Sequence, residues 1–217
     1  MLTDLRLATR TLLRTPGFAV AAALTIAIGV GANATMFGVV AVVMLRPPPF
    51  RDESRVVRLF EVTKDGNDRM PLSPANFADW RRQTRAGSAF ADMSAVYETQ
   101  LTLDDAAGGE PERIAVARST GNLPQVLGIT PVLGRAYTAA NDVEGQAGVI
   151  LLGHRLWQRR FGGDSGIVGR DIRLDGRPFT VLGVLPPDVR WPESTTEAWT
   201  PIPNPPQWWD RNRGNHF

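Results

Sequence analysis

Few residues in this chain have the type and spacing for chemistry. There are two histidines, His154 and His216, and no cysteine. His154 opens a short helical pattern, which marks it as a capping or surface residue rather than a base. Asp104 and Asp105 stand together in a Gly- and acid-rich stretch, with no further ligand close in sequence, so they read as solvated loop residues rather than a metal site. Gly29-Val30-Gly31-Ala32-Asn33-Ala34 has the glycine spacing of a dinucleotide-binding turn, and Asp52 lies near the offset of its ribose-binding acid. That motif needs a strand-to-helix turn, and these glycines lie inside an apolar run. No Walker glycine-lysine loop, G-x-S-x-G or H-E-x-x-H occurs. The expectation is no catalytic residue, no cofactor and no metal, hence no enzyme.

The strongest signal is that apolar run. Phe18 to Leu45 holds no Asp, Glu, Lys, Arg or His over 28 residues. As a helix it would measure about 42 Å, against about 30 Å of hydrocarbon. A secretory signal has an apolar stretch of only about 7–15 residues and a cleavage site, and neither fits. The run reads as one transmembrane helix, tilted or extending past the membrane into the polar domain behind it. Ala27 with Gly31, and Ala34 with Gly38, set small residues four apart, which lets a second helix approach closely in lipid. Asn33 and Thr35 add polar groups suited to such a partner. The expected helix-packing residues are Ala27, Gly31, Asn33, Ala34 and Gly38.

The flanks are basic. Leu2 to Arg14 reads as an amphipathic helix, Leu5, Ala8 and Leu12 on one face and Arg6, Arg10 and Arg14 on another. Thr15-Pro16-Gly17 would break it. Arg6, Arg10, Arg14 and Arg46 are the expected membrane-interface residues. Arginine follows the run as well as preceding it, so charge counts leave the orientation open. A start without a cleaved signal favours the N-terminus inside. From Arg46 onward acidic and basic residues balance, and no basic field suggests nucleic acid.

Behind the run, strand and helix patterns alternate. Val56–Val62 and Phe90–Tyr97 read as strands. Ser73-Pro74 reads as a helix cap and first position, with Phe77, Trp80 and Thr84 on one face. Leu101–Leu103 and Ile114–Val116 bracket a long hairpin. Gly148–Leu152 reads as a buried strand and Arg155–Phe161 as a helix ended by Gly162-Gly163. Asp175-Gly176 is a strong hairpin turn, with Pro178 opening the returning strand. The tail from Pro201 has little periodicity.

Several ordered motifs resemble one family. They are Ala27–Ala34 through Leu45-Arg46-Pro47, Leu72–Arg81, Val126-Leu127-Gly128 with Leu133-Gly134-Arg135, Leu156–Gly163, Val168-Gly169-Arg170, Phe179–Val184 and Trp199-Thr200-Pro201. Together they resemble the MacB-like, FtsX-related permeases of ABC transporters. The resemblance implies an α+β chain, with a basic segment at 1–17, a membrane helix at 18–45 and an extracytoplasmic core domain at 46–217. A porter-like part would cover about 52–118 and 196–217, and a β-rich insert about 119–195. It implies further membrane helices or a second permease copy, a separate cytoplasmic ATPase, and mechanotransmission in a bacterial inner membrane. The chain departs from the pattern at Pro47-Pro48-Pro49, at Asn122-Leu123-Pro124 where an aromatic pair is usual, and in stopping at Phe217. The stop suggests a fragment or a split permease, with missing strands and a protease-sensitive end after about Pro186. The alternative reading is a membrane-anchored interaction module without transport.

Overall fold

The computed structural model describes residues 15–44, 50, 52–62, 70, 72–84, 89–104, 110–141 and 148–202. It divides into two compact units, Met1–Pro47 and Pro48–Phe217. The interface arginines Arg6, Arg10, Arg14 and Arg46, and with them Asp105, His216 and the helix expected at Leu2–Arg14, lie outside the described residues.

The first unit contains α1, Pro16–Met44. Pro16 and Gly17 open this helix, and Thr15 before it is not helical. Proline suits the first position, where its missing N–H would have no helical partner. Ala19 N–H donates to Thr15 O in the first turn. The helix is apolar on all sides, and Phe18, Ile28, Met36 and Phe37 are each at least 70% exposed. Such a surface is tolerable in lipid and not in water. The stretch Pro16–Gly38 is long and apolar enough to cross a membrane.

The second unit is built on seven strands: β1 Val96–Asp104, β2 Glu112–Ser119, β3 Leu133–Gly134, β4 Gly148–Leu152, β5 Asp171–Leu174, β6 Arg177–Val184 and β7 Ala198–Pro201. Their order is β3-β6-β4-β7-β2-β1-β5, and β5 also pairs with β6. Six strands therefore close a ring, β6-β4-β7-β2-β1-β5, with β3 added to β6. Strands β2 and β7 are parallel, as are β4 and β6; the other pairs are antiparallel. Strands on both sides of the expected porter-insert boundary, β1, β2 and β7 with β4, β5 and β6, share this ring.

Alternation along the strands fills the ring. Leu103, Ile114, Val116, Ile150, Leu152, Ile172, Leu174, Val181, Val184 and Ala198 form one buried cluster with Leu156 and Ile167. Each Leu, Ile or Val among them contributes about 1.5–3 kcal/mol on burial. A second cluster lies on the other face, with Ala117, Leu151, Leu182 and Trp199 under Leu123, Leu127, Tyr137 and Leu185. One bulge reconciles the two. Ile150 pairs with Val181 and Leu151 with Gly183, so Leu182 is the extra residue. The shift puts Val181 and Val184 in the first cluster and Leu182 in the second, which strict alternation would not do.

Three helices attach to the sheet: α2 Pro74–Thr84, α3 Leu123–Leu127 and α4 His154–Phe161. The expected cap of α2 is present, Asn76 N–H donating to Ser73 Oγ at 3.4 Å. Phe77 is buried with Met93, Ala95 and Ile202, and Trp80 packs beside them. Gly162 ends α4 in the left-handed conformation, φ 61°, and the next N–H, of Gly163, donates to Trp157 O at 3.2 Å.

Two strand expectations are corrected. Among the described residues of Val56–Val62, only Glu61 bridges, to Met70. Val57 and Val62 are exposed, and neither belongs to a strand among the described residues. Phe90–Ala95 is not strand, and β1 starts at Val96. Side-chain bonds take up the backbone there: Met93 N–H donates to the neighbouring Asp92 Oδ1, and Ala95 N–H to the distant Thr120 Oγ1.

Candidate functional site

The apolar helix α1 carries the expected packing residues. At about 100° per residue, Ala27, Gly31, Ala34 and Gly38 fall within an arc of about 60°. They form one stripe, and nothing lies within 4 Å of a Cβ added at Gly31 or Gly38. Asn33 sits about 130° from the middle of the stripe by the same spacing, so the helix does not bring it to that face. Its Nδ2 donates to Gly29 O at 3.0 Å, and Thr35 Oγ1 donates to Gly31 O at 2.8 Å. These donors are satisfied by the preceding turn and do not demand a second helix. The glycines of the dinucleotide lookalike are helical here.

Where the chain enters the second unit, an aromatic series fixes it. The ring of Phe50 meets Trp191 edge-on at 6.0 Å, and Trp191 meets Trp199 at 6.2 Å. Trp199 is 1% exposed and donates from Nε1 to Trp191 O at 2.8 Å. It belongs to β7, which lies between β2 and β4. Three side chains thus join the entry of the domain to the middle of its sheet. Phe50 and Trp191 escaped the sequence reading, because neither sits in a periodic segment; their aromatic type beside proline was the available signal.

A buried polar cluster stands near β2. Asn122, Nδ2 donating to Asp92 Oδ2 at 2.8 Å and Met93 O at 2.9 Å, accepts from Thr120 Oγ1 at 2.8 Å. Tyr137 is fully buried, its hydroxyl 2.7 Å from Ser119 Oγ. The Asn122 departure from the aromatic pattern is therefore compensated by polar partners. Asp104 is not a solvated loop residue: its Oδ2 accepts from Gly176 N–H at 3.1 Å, while Asp175 Oδ1 accepts from Thr102 N–H at 2.8 Å. Both aspartates clip the β5–β6 turn to β1. Among the described residues no cluster of His, Asp or Glu could hold a metal.

One cleft has a volume of about 450 Å³ and is lined by arginines 113, 155, 159 and 190, with Glu197 and Ser194–Thr196. Arg159 is anchored there, 2.8 Å from Glu197 and 2.5 Å from Glu112. Partial burial pulls the pKa of its guanidinium down, but the hydrogen bonds and charges of Glu197 and Glu112 outweigh that and hold it above the usual arginine value. His154 lies at the same cleft. It does not cap α4, a position taken by Gly153; its ring meets Trp157 edge-on at 5.3 Å.

Residues 19–214 match the MacB-like periplasmic core domain. The chain belongs to that family. The MacB-like assignment covers α1 from Ala19 and the whole ring, and its members are ABC-transporter permeases. Among solved structures, the chain is similar to the periplasmic region of MacB from Actinobacillus actinomycetemcomitans, with 15% identity over 67% of this chain and 64% of that one, at a TM-score of 0.48. It is also similar to the extracellular domain of the ABC-type transporter YknZ from Gram-positive bacteria, with 18% identity over 66% and 71%, at 0.46. The chain thus spans less than two thirds of the MacB region. No curated protein matches.

Proposed function

We propose that this MacB-like chain is a permease subunit, or the N-terminal part of one, that couples a cytoplasmic ABC ATPase to an extracytoplasmic domain by mechanotransmission. In this reading α1 crosses the bacterial inner membrane with its N-terminus inside. The basic segment at 1–17 lies at the inner surface, and the unit from Pro48 is exported. Within that unit the porter-like part and the β-rich insert act as one body. The observation that carries the reading is the aromatic series from Phe50 through Trp191 to Trp199. Displacement of the domain entry would load the strand at the middle of a closed sheet. A closed ring resists shear, so it would pass that displacement on rather than absorb it. The stripe of Ala27, Gly31, Ala34 and Gly38 would seat another permease helix or a second permease copy.

The test is affinity capture of the tagged full chain from native membranes. Recovery of an ABC ATPase supports the reading, and Gly31→Leu with Gly38→Leu should reduce it by blocking close helix approach. Capture without any ATPase, in a preparation where the chain stays membrane-bound, refutes it. That outcome leaves a membrane-anchored interaction module.

A further inference from the structure

The cleft beside α4 concentrates positive charge in a domain whose charges otherwise balance. Arg113 comes from β2, Arg155 and Arg159 from α4, and Arg190 from the segment after β6. Arg160 lies 3.5 Å from Glu112. Three glutamates stand in or beside the cleft: Glu112 and Glu197 on Arg159, and Glu98, which accepts from Thr196 Oγ1 at 2.5 Å. Among the lining residues four guanidinium groups meet one carboxylate, Glu197, while Asp188 and Glu193 stand next in sequence to lining residues. Arg159 and Arg160 take up Glu112 and Glu197. Arg113 and Arg155 have no carboxylate within salt-bridge distance among the described residues, and both are exposed at the cleft.

The cleft also has a floor. Leu156 and Val189 are buried beneath it, and Ser194 and Thr195 add hydroxyl groups. Its volume lies in the range of small-molecule sites, about 300–1,000 Å³, in which an apolar lining meets a few convergent polar groups. Guanidinium groups are planar donors matched to the oxygens of phosphate and carboxylate. The first turn of α4 at this cleft contains no acidic residue to answer the positive end of the helix.

We propose that this cleft binds a small anionic ligand carrying phosphate or carboxylate groups, held by Arg113 and Arg155, with Arg159 fixed behind them by Glu112 and Glu197. The site adjoins the Phe50–Trp191–Trp199 series through Val189 and Arg190. It does not depend on whether an ATPase is captured.

The test is calorimetric titration of the full chain, in nanodiscs of zwitterionic lipid, with inorganic phosphate, pyrophosphate and citrate. At least one anion should bind with a dissociation constant below about 10 mM. Arg113→Gln and Arg155→Gln should each weaken it by roughly tenfold, as expected for loss of a charge-assisted hydrogen bond, with an unchanged unfolding midpoint. Arg135→Gln, which removes an exposed arginine outside the cleft, should leave binding unchanged. No binding of any of the three anions overturns the proposal. So does an equal loss in all three variants, since that signals only the net charge.

Discussion

Asp175 occupies the tightest corner of the ring, and its substitution separates two effects that usually travel together. Its φ is 47°, the only positive value at a non-glycine residue described. It is followed by Gly176 at φ 74°, so the β5–β6 turn requires two left-handed residues. Asp175 Oδ1 also accepts from Thr102 N–H at 2.8 Å, at an exposed position on β1. Asp175→Ala removes that bond, about 1 kcal/mol. It also places an ordinary side chain in the left-handed region, at about 1 kcal/mol over aspartate. The expected loss is about 2 kcal/mol. Asp175→Gly removes the bond but not the conformational fit, and should lose about 1 kcal/mol. Asp175→Asn keeps both an acceptor and the tolerance for this conformation, and should lose less than about 0.5 kcal/mol. The assay is urea unfolding of the full chain in detergent, followed by tryptophan fluorescence, with amide exchange at Thr102 as the local probe. The order of loss should be Ala, then Gly, then Asn. A loss below about 0.5 kcal/mol for Asp175→Ala, or a loss for Asp175→Gly equal to it, would refute the reasoning.

Tyr137→Phe leaves Ser119 Oγ with only its bond to Thr120 O, and should cost about 1 kcal/mol in the same unfolding assay. Leu152→Ala empties space inside the ring, where Leu152 has no exposure, and should cost about 2–5 kcal/mol; a loss below that range would mean that the ring collapses around the gap. Arg159 gives a pH prediction. A cation whose pKa is raised in the fold stabilises fully below its unfolded pKa and stops doing so only as pH rises through the folded one. Both values lie in strong alkali, so the stability difference between wild type and Arg159→Gln should stay constant from about pH 6 to 9. Its size should be within about 1 kcal/mol, since the Arg159 side chain is 46% exposed.

The parts legible in the sequence were those set by local chemistry. Ser73-Pro74 opens α2, Gly162 ends α4, and Asp175-Gly176 turns β5 into β6, because cap and turn residues act on their own neighbours. The uncharged run became α1 for the same reason. The ring was not legible. Strand β7 reaches β2 and β4 across long stretches of chain, and four residues, Ala198–Pro201, give too short a pattern to announce it. Val56–Val62 misled in the opposite direction, having strand residues but forming no strand among the described residues. The cleft was hidden because Arg113, Arg155 and Arg190 come from three separate segments of a domain with balanced charge. The Phe50–Trp191–Trp199 series was hidden likewise, since aromatic contacts across such distances leave no spacing to read.

The position of β7 also sets a timetable for biosynthesis. It is the last of the seven strands to leave the ribosome, and both of its neighbours in the ring, β2 and β4, are made well before it. Until residues 198–201 emerge, those two strands have an open gap between them and bare edges on either side. In the proposed topology the emerging domain would stay an unfinished sheet until β7 arrives, and unpaired edges in that interval are the natural target for a holding chaperone.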